Sequence, residues 1–180
     1  MVTFASPKRF LKAWLGDETG AVIADFAVML PVFVMFLLSS VEMGMMTFRQ
    51  TMLERGLDMA VRDLRLGLVE NPTHAKVKTD ICHYAGFLPD CANGLRLEMQ
   101  PVNLRAYTML PEAADCIDRS EEMNPVRKFV AGGSNEVMVL RACIKIAPIF
   151  PTFGLGDQVA KDGNGDMALF SVTAFVNEPS

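Results

Sequence analysis

Charged side chains are scarce in this sequence. They make up 21% of its 180 residues, with 17 basic and 21 acidic groups and a formal net charge of −4. This balance excludes a disordered acidic tail and a basic nucleic-acid-binding domain, so we expect no nucleic-acid partner. The 13 glycines and 10 prolines are too few for a collagen-like or low-complexity chain. The length allows one domain of ordinary size.

Charge is missing altogether from residues 26–41, and the sequence stays mostly apolar for several residues beyond Glu42. A helix that crosses a bilayer needs about 20 mostly apolar residues. Residues 21–48 supply them if Asp25 and Glu42 lie near the two membrane interfaces. A water-soluble helix would show a polar stripe, which this segment lacks. The sequence therefore predicts one transmembrane helix over residues 21–48, in contact with membrane lipid.

Two alternatives for this segment stay open. A secretory signal peptide also has basic residues ahead of an apolar stretch, as Lys8, Arg9 and Lys12 are here. Against it, the apolar run is longer than such a peptide has, and no convincing small-x-small cleavage site closes it. The other alternative is a buried core helix, since the strictly uncharged run has only 16 residues.

The flanking charges predict the orientation of the span. Basic residues stay on the cytoplasmic side, so the leader (residues 1–20) is expected inside and the chain after about residue 48 outside. The cysteines agree, because all four follow the span, and an even number on the exported side suggests two disulfides. Four buried free thiols are the alternative. Of the three possible pairings we favour Cys82–Cys91 with Cys116–Cys143, because the first two cysteines flank one short loop.

The chain after the span predicts an α+β unit. Apolar residues continue at helical spacing over residues 49–67, so one helix should run over residues 21–66 and end near Gly67. Gly56 is a mild flaw in that helix, with no evident role. The exported domain, residues 68–180, should then contain a short helix and an antiparallel sheet of about three strands. The short helix is predicted over residues 72–87, and the strands over residues 95–102, 136–148 and 166–178.

A motif surrounds the junction between leader and helix. The basic leader ends in Gly20, the apolar helix starts at Ala21, and an acid, Asp25, stands fifth in the helix. With Pro31 and the Leu/Phe/Val run that follows, this stretch resembles the precursors of type IV pilin-like proteins. More closely, it resembles the TadE-like minor pseudopilins of the tight-adherence (Tad) pilus. The single departure is Asp25, where the family usually has Glu.

The resemblance implies a minor, non-enzymatic pilin-like subunit that is needed for assembly of a Tad-type pilus and for surface adherence. A prepilin peptidase would cleave between Gly20 and Ala21, since glycine leaves the scissile backbone unhindered. Asp25 would then compensate the freed amine of Ala21, within or between subunits. Expected partners are the peptidase, other pilin or pseudopilin subunits and the Tad assembly machinery. The expected location is the bacterial inner membrane, with the C-terminal domain in the periplasm.

Candidate residues for catalysis or metal binding are few. Neither a CxxC nor an HxxxH spacing occurs, and the neighbours Cys82 and His83 would point about 100° apart on a helix. Residues 162–166 have the one-three-five oxygen spacing of a calcium loop, but Met167 replaces the glycine expected at position six. A glycine-rich turn explains them better, so we expect no metal and no cofactor. The alternative function is an uncleaved single-pass protein whose periplasmic domain binds a ligand or catalyses a reaction.

Overall fold

The computed structural model of the protein describes residues 21–103, Cys116 and residues 129–178. The predicted leader therefore lies outside the described residues. The described part confirms an α+β arrangement, in which one long helix leads into a small domain with a short helix and a three-stranded antiparallel sheet. The elements in chain order are α1 (Ala21–Arg65), α2 (His74–Ala85), α3 (Cys91–Gly94), β1 (Arg96–Pro101), β2 (Val137–Ile146), α4 (Gly154–Gln158) and β3 (Met167–Val176).

Helix α1 is continuous over 45 residues, which at 1.5 Å per residue makes it about 67 Å long. It ends in a Schellman motif: Gly67 has a φ of +67°, its N–H donates to the Leu64 carbonyl, and the Leu68 N–H donates to that of Asp63. The helix was predicted to end one residue later. Glycine suits this position because the left-handed conformation carries no Cβ penalty there.

The two halves of α1 differ in the side chains they expose. The first half is apolar on every side and exposed, and an 18-residue window reaches a mean hydropathy of 2.4 with none of it buried within the protein. By length and composition, the helix is able to cross a membrane. In the second half one face is buried, formed by Leu53, Leu57, Ala60, Val61 and Leu64. That face packs into the domain core.

The sheet has the order β1-β2-β3, with both pairs antiparallel, so β2 is the central strand. Met99 of β1 faces Leu140 of β2, which in turn faces Thr173 of β3. The core lies between this sheet, α2 and the second half of α1, because strands and helices each have one apolar side to bury. Its members on the sheet include Leu97, Met99, Met138, Leu140, Ile144 and Phe175.

Helix α2 crosses α1 at Gly56, to which the sequence assigned no role. A Cβ built on Gly56 would lie 2.7 Å from the carbonyl oxygen of Ile81 and 2.9 Å from the Cβ of Ala85. The glycine therefore permits the two backbones to approach. Two turns beyond Gly56 on α1, the Asp63 carboxylate accepts a hydrogen bond of 2.7 Å from the Tyr84 hydroxyl of α2. The interpretation of Gly56 as a flaw was wrong, because its small size is what this helix crossing requires.

Replacing Gly56 by alanine should therefore destabilise the domain. In an open helix this change would gain about 1 kcal/mol, but here the methyl group must push α2 away, with a net cost of about 1–3 kcal/mol. The matched control is Gly44→Ala in the same helix, where an added Cβ meets nothing within 4 Å. Chemical denaturation in detergent measures both. A stabilised Gly56→Ala variant would contradict the close approach.

Candidate functional site

The residues predicted for processing lie at the start of the described chain. Gly20 is outside the described residues, and Ala21 is the first residue of α1. Asp25 follows one turn later and is exposed on the helix surface, where a group of a neighbouring molecule can reach it. Cleavage and charge pairing at these positions stay predictions.

Both cysteine pairs favoured from the sequence are disulfides in the structure. Cys82 of α2 is bonded to Cys91 of α3, with 5.7 Å between the Cα atoms. Cys116 is bonded to Cys143 of the central strand, with a Cα–Cα distance of 5.3 Å. The first bridge fixes the turn between two helices, and the second links Cys116 to the central strand. Each closes a loop, which restricts the unfolded chain more than the folded one.

The turn with calcium-like spacing is occupied by the protein's own groups. Asp162 accepts hydrogen bonds from the N–H groups of Asn164 and Asp166 through one carboxylate oxygen, each at 3.0 Å. The other oxygen lies 2.8 Å from the Lys145 ammonium on β2. Within the described ranges, no group of three or more His, Cys, Asp or Glu side chains is arranged to hold a metal ion. The carboxylate of Asp162 thus closes a turn and binds a lysine.

The lysine also governs the titration of this carboxyl. The hydrogen bond from Lys145 holds the pKa of Asp162 below its ordinary value, against the raising effect of burial, and the two backbone N–H groups add to the lowering. A pKa that falls on folding means that the ionised group stabilises the folded state.

Buried charge marks a second site, at the middle of α1. Of the described residues, Glu42 and Arg141 are the charged ones that are buried. Arg141 lies in the sheet, 3.6 Å from Glu98, its cross-strand partner on β1. Glu42 is only 1% exposed although it follows the most apolar part of the helix. Burial of a carboxylate requires hydrogen-bond donors, and here they come from 107 and 108 residues further along the chain.

Those donors belong to the segment between β2 and β3. The backbone N–H of Ile149 donates to one oxygen of Glu42 at 3.0 Å, and that of Phe150 donates to the other at 2.8 Å. Ser39, three residues earlier on the same helix face, accepts a third bond from the N–H of Leu155 at 3.3 Å. We call residues 147–158, which fold back onto α1 in this way, the return loop.

Two glycines let the return loop lie close to the helix. Gly154 has a φ of +57°, and a Cβ there would stand 2.5 Å from the Ser39 hydroxyl. A Cβ on Gly156 would collide with the carbonyl oxygen of Phe150 and lie 3.4 Å from the Glu42 carboxyl carbon. Any larger residue at either position would disturb the hydrogen bonds to α1.

Two cationic side chains outside the return loop donate hydrogen bonds to its backbone carbonyl groups. Arg49, two turns beyond Glu42, donates to the Ala147 carbonyl at 3.1 Å. The Lys161 ammonium donates to the carbonyls of Pro151 and Gly156, at 2.6 and 3.0 Å. Between α1 and α4 this arrangement leaves an open, mainly apolar groove of about 550 Å³, whose lining includes Met35, Phe36, Met43 and Leu155.

The comparison with known families bears on the same helix. Residues 20–62 match the family model described as TadE-like protein. Over these residues the chain is similar to TadE-like proteins. The match covers less than half of the chain; it begins at Gly20, includes Asp25 and Glu42, and stops near the end of α1. No curated protein and no solved structure matches the chain.

The TadE-like match supports a pilin-like role associated with the Tad pilus, and it suggests interaction with other pilus or assembly components. The long apolar α1 is consistent with a single-pass membrane anchor. The return loop and the sheet lie beyond the TadE-like segment. That segment contributes the acceptors Ser39 and Glu42 and the donor Arg49 to the return loop. It also contributes the apolar face around Leu57 that packs into the core with the sheet.

Replacing Glu42 by alanine should release the return loop. The N–H groups of Ile149 and Phe150 would lose their acceptors, which costs about 1–3 kcal/mol for each donor that stays buried. Hydrogen exchange at these two amides should accelerate, and Glu42→Gln should have a smaller effect because it keeps one oxygen. Glu54→Ala is the control, because Glu54 is an exposed glutamate of the same helix whose carboxylate accepts a hydrogen bond from Gln50. Unchanged exchange in Glu42→Ala would refute the anchoring.

The Lys145–Asp162 pair should give a pH-dependent stability. Asp162→Asn is expected to cost about 1–2 kcal/mol at pH 7, because the largely buried ion pair with Lys145 is lost. Since folding lowers this pKa, the wild-type advantage is complete above the unfolded value and disappears as the pH falls below about 4. Denaturation at several pH values measures it. Asp157→Asn, on an exposed carboxylate 3.8 Å from Lys161, should change little. A difference that grows with acidity would contradict this assignment.

Proposed function

We propose that the protein is a minor pilin-like subunit, needed for assembly of a Tad-type pilus and for surface adherence, and processed by a prepilin peptidase between Gly20 and Ala21. The observation that carries the proposal is the TadE-like match, which begins at Gly20 itself. The residue before the proposed scissile bond is thus the first residue of the match.

The surface of α1 supports an assembly role. Residues 22–37 expose large apolar side chains, among them Val22, Ile23, Phe26 and Phe36, that nothing in the described chain covers. Apolar surface on this scale is stable in lipid or against the helices of other subunits. We propose membrane lipid, other pilin or pseudopilin subunits and the Tad assembly machinery as its partners. Because α1 continues without a break into the domain core, packing of the helix would also position the exported domain.

The spacing of Ala21 and Asp25 supports the charge-pairing role. They are four residues apart in one helix, so they lie on the same face about one turn from each other. After cleavage Ala21 would carry a free amine, and an unpaired charge in a membrane costs at least about 2.5–3.5 kcal/mol. The exposed Asp25 can neutralise that amine in its own helix or in a neighbouring one. Aspartate is one methylene shorter than glutamate, so its reach is smaller.

A non-enzymatic role in the periplasm is part of the proposal. All four cysteines are oxidised, which removes them as nucleophiles and fits an oxidising compartment. The two histidines pack edge-on against aromatic rings, His74 against Phe129 at 5.6 Å and His83 against Tyr84 at 5.4 Å between ring centroids. The inner membrane, with the N-terminus in the cytoplasm and the domain in the periplasm, is the proposed location.

Three substitutions should separate processing from assembly. Gly20→Val should block removal of the leader, because the side chain crowds the scissile bond. Asp25→Ala should leave much of the cleavage intact but reduce surface attachment, since the Ala21 amine loses its counter-charge. Asp25→Glu, the control, should keep both. Intact mass of the membrane-extracted chain reports processing, and attachment of cells to a surface reports assembly.

Three outcomes would contradict the proposal. A wild-type chain that keeps residues 1–20 would favour the uncleaved single-pass protein with a ligand-binding or enzymatic domain. Complete processing of Gly20→Val would remove the proposed cleavage site. Normal attachment with Asp25→Ala would show that the charge at this position has no part in assembly.

A further inference from the structure

The return loop lies against the apolar part of α1, at the level where that helix leaves the most hydrophobic run. A Cβ built on Gly154 would be 3.9 Å from the carbonyl oxygen of Met35 as well as close to Ser39. Both helix residues belong to residues 26–41, in which no side chain is charged. Any bilayer that covers this run must therefore meet the return loop.

The thickness of a bilayer puts the loop at the membrane surface. A hydrocarbon core of about 30 Å corresponds to about 20 helical residues. A span that begins at Ala21 would end near Val41, and one that begins at Asp25 would end about a turn later. In either case Met35 and Ser39 fall within the outer part of the span, and the segment hydrogen-bonded to Ser39 and Glu42 is beside them.

The composition of the loop fits that position. Residues 149–156 read IFPTFGLG and contain no charge, while Asp157 and Lys161 follow directly. Ile149 is 39% exposed and Phe153 is 43% exposed, although each is a large apolar side chain. The polar backbone of the loop is directed inward to α1 and Lys161, which leaves apolar groups on the outside. Segments that lie in a membrane interface combine aromatic and aliphatic side chains in this way.

We propose that the return loop is a second membrane contact, in which Phe153 and Ile149 enter the boundary between headgroups and acyl chains of the phospholipid bilayer beside α1. The occupant of this surface is lipid, because the loop continues the apolar surface of the span at the same depth. Glu42 is then screened from lipid by the loop that it binds. This inference depends on α1 crossing a membrane and is independent of any role in a pilus.

A single tryptophan in the loop tests the contact. Trp14 is the sequence's one tryptophan, so Trp14→Phe provides a silent background for Phe153→Trp. The full chain is reconstituted at a low protein-to-lipid ratio in phosphatidylcholine vesicles, with bromine on the acyl carbons nearest the headgroup as the quencher. The matched control is Val176→Trp, because Val176 is 45% exposed and lies two residues from Glu178, which pairs with Arg65 at the far end of α1.

Brominated lipid should quench the Phe153→Trp emission several-fold more strongly than that of Val176→Trp. Adding Glu42→Ala should reduce the difference, because the loop is then no longer held at the surface. If Phe153→Trp disturbs folding, Ile149→Trp gives the same comparison. Equal quenching at positions 153 and 176 would overturn the proposal. So would a blue-shifted emission that is insensitive to bromine, since that result would show another protein surface, not lipid, covering the loop.

Discussion

One uninterrupted helix has to serve two environments, and the rest of the structure is arranged around that constraint. In its first half the side chains are apolar on all sides, and in its second half only the face that meets the sheet and α2 is apolar. The surface changes within a few turns, next to the segment that joins β2 to β3. The same continuous helix supplies both the apolar half and part of the domain core. No flexible linker therefore separates the apolar half of α1 from the core that its second half enters. The orientation of the domain follows from core packing.

Glu42 resolves the difficulty that arises where the two environments meet. A backbone segment laid against an apolar helix must find acceptors for its N–H groups, because water is excluded from the contact. A carboxylate is well suited, since it has two oxygens and accepts from two successive residues at once. Ser39 adds one more acceptor a turn away. Gly154 and Gly156 have no side chains, so the backbone of the return loop can approach the helix closely. Lys161 then satisfies carbonyl groups on the other side of the same segment.

The sequence predicted the elements well and their contacts poorly, for physical reasons. Apolar periodicity is local, so it gave α1, α2 and the three strands to within a few residues, and Gly67 marked the end of α1. The short helices α3 and α4 were missed because four or five residues are too few to show a period. Glu42 was taken only as a marker of the membrane edge, since its partners lie more than 100 residues away. Gly56 was misjudged for a similar reason, because the local sequence of α1 does not indicate that α2 crosses it at this residue. The two glycines at positions 154 and 156 are typical of a backbone that approaches another segment closely, but their sequence does not indicate that the segment is α1.

The contacts of α1 also set an order of events during synthesis. Its N-terminal half is made first, yet its buried face is completed by β3, the last strand of the chain, and its end pairs with Glu178. Contacts of such long sequence separation form slowly, because a large loop must close before they are gained. Until β3 is made, the apolar face around Leu57 is only partly covered. The core of this protein is therefore completed only after β3 has been made, although α1, which supplies one of its faces, comes first among the described elements.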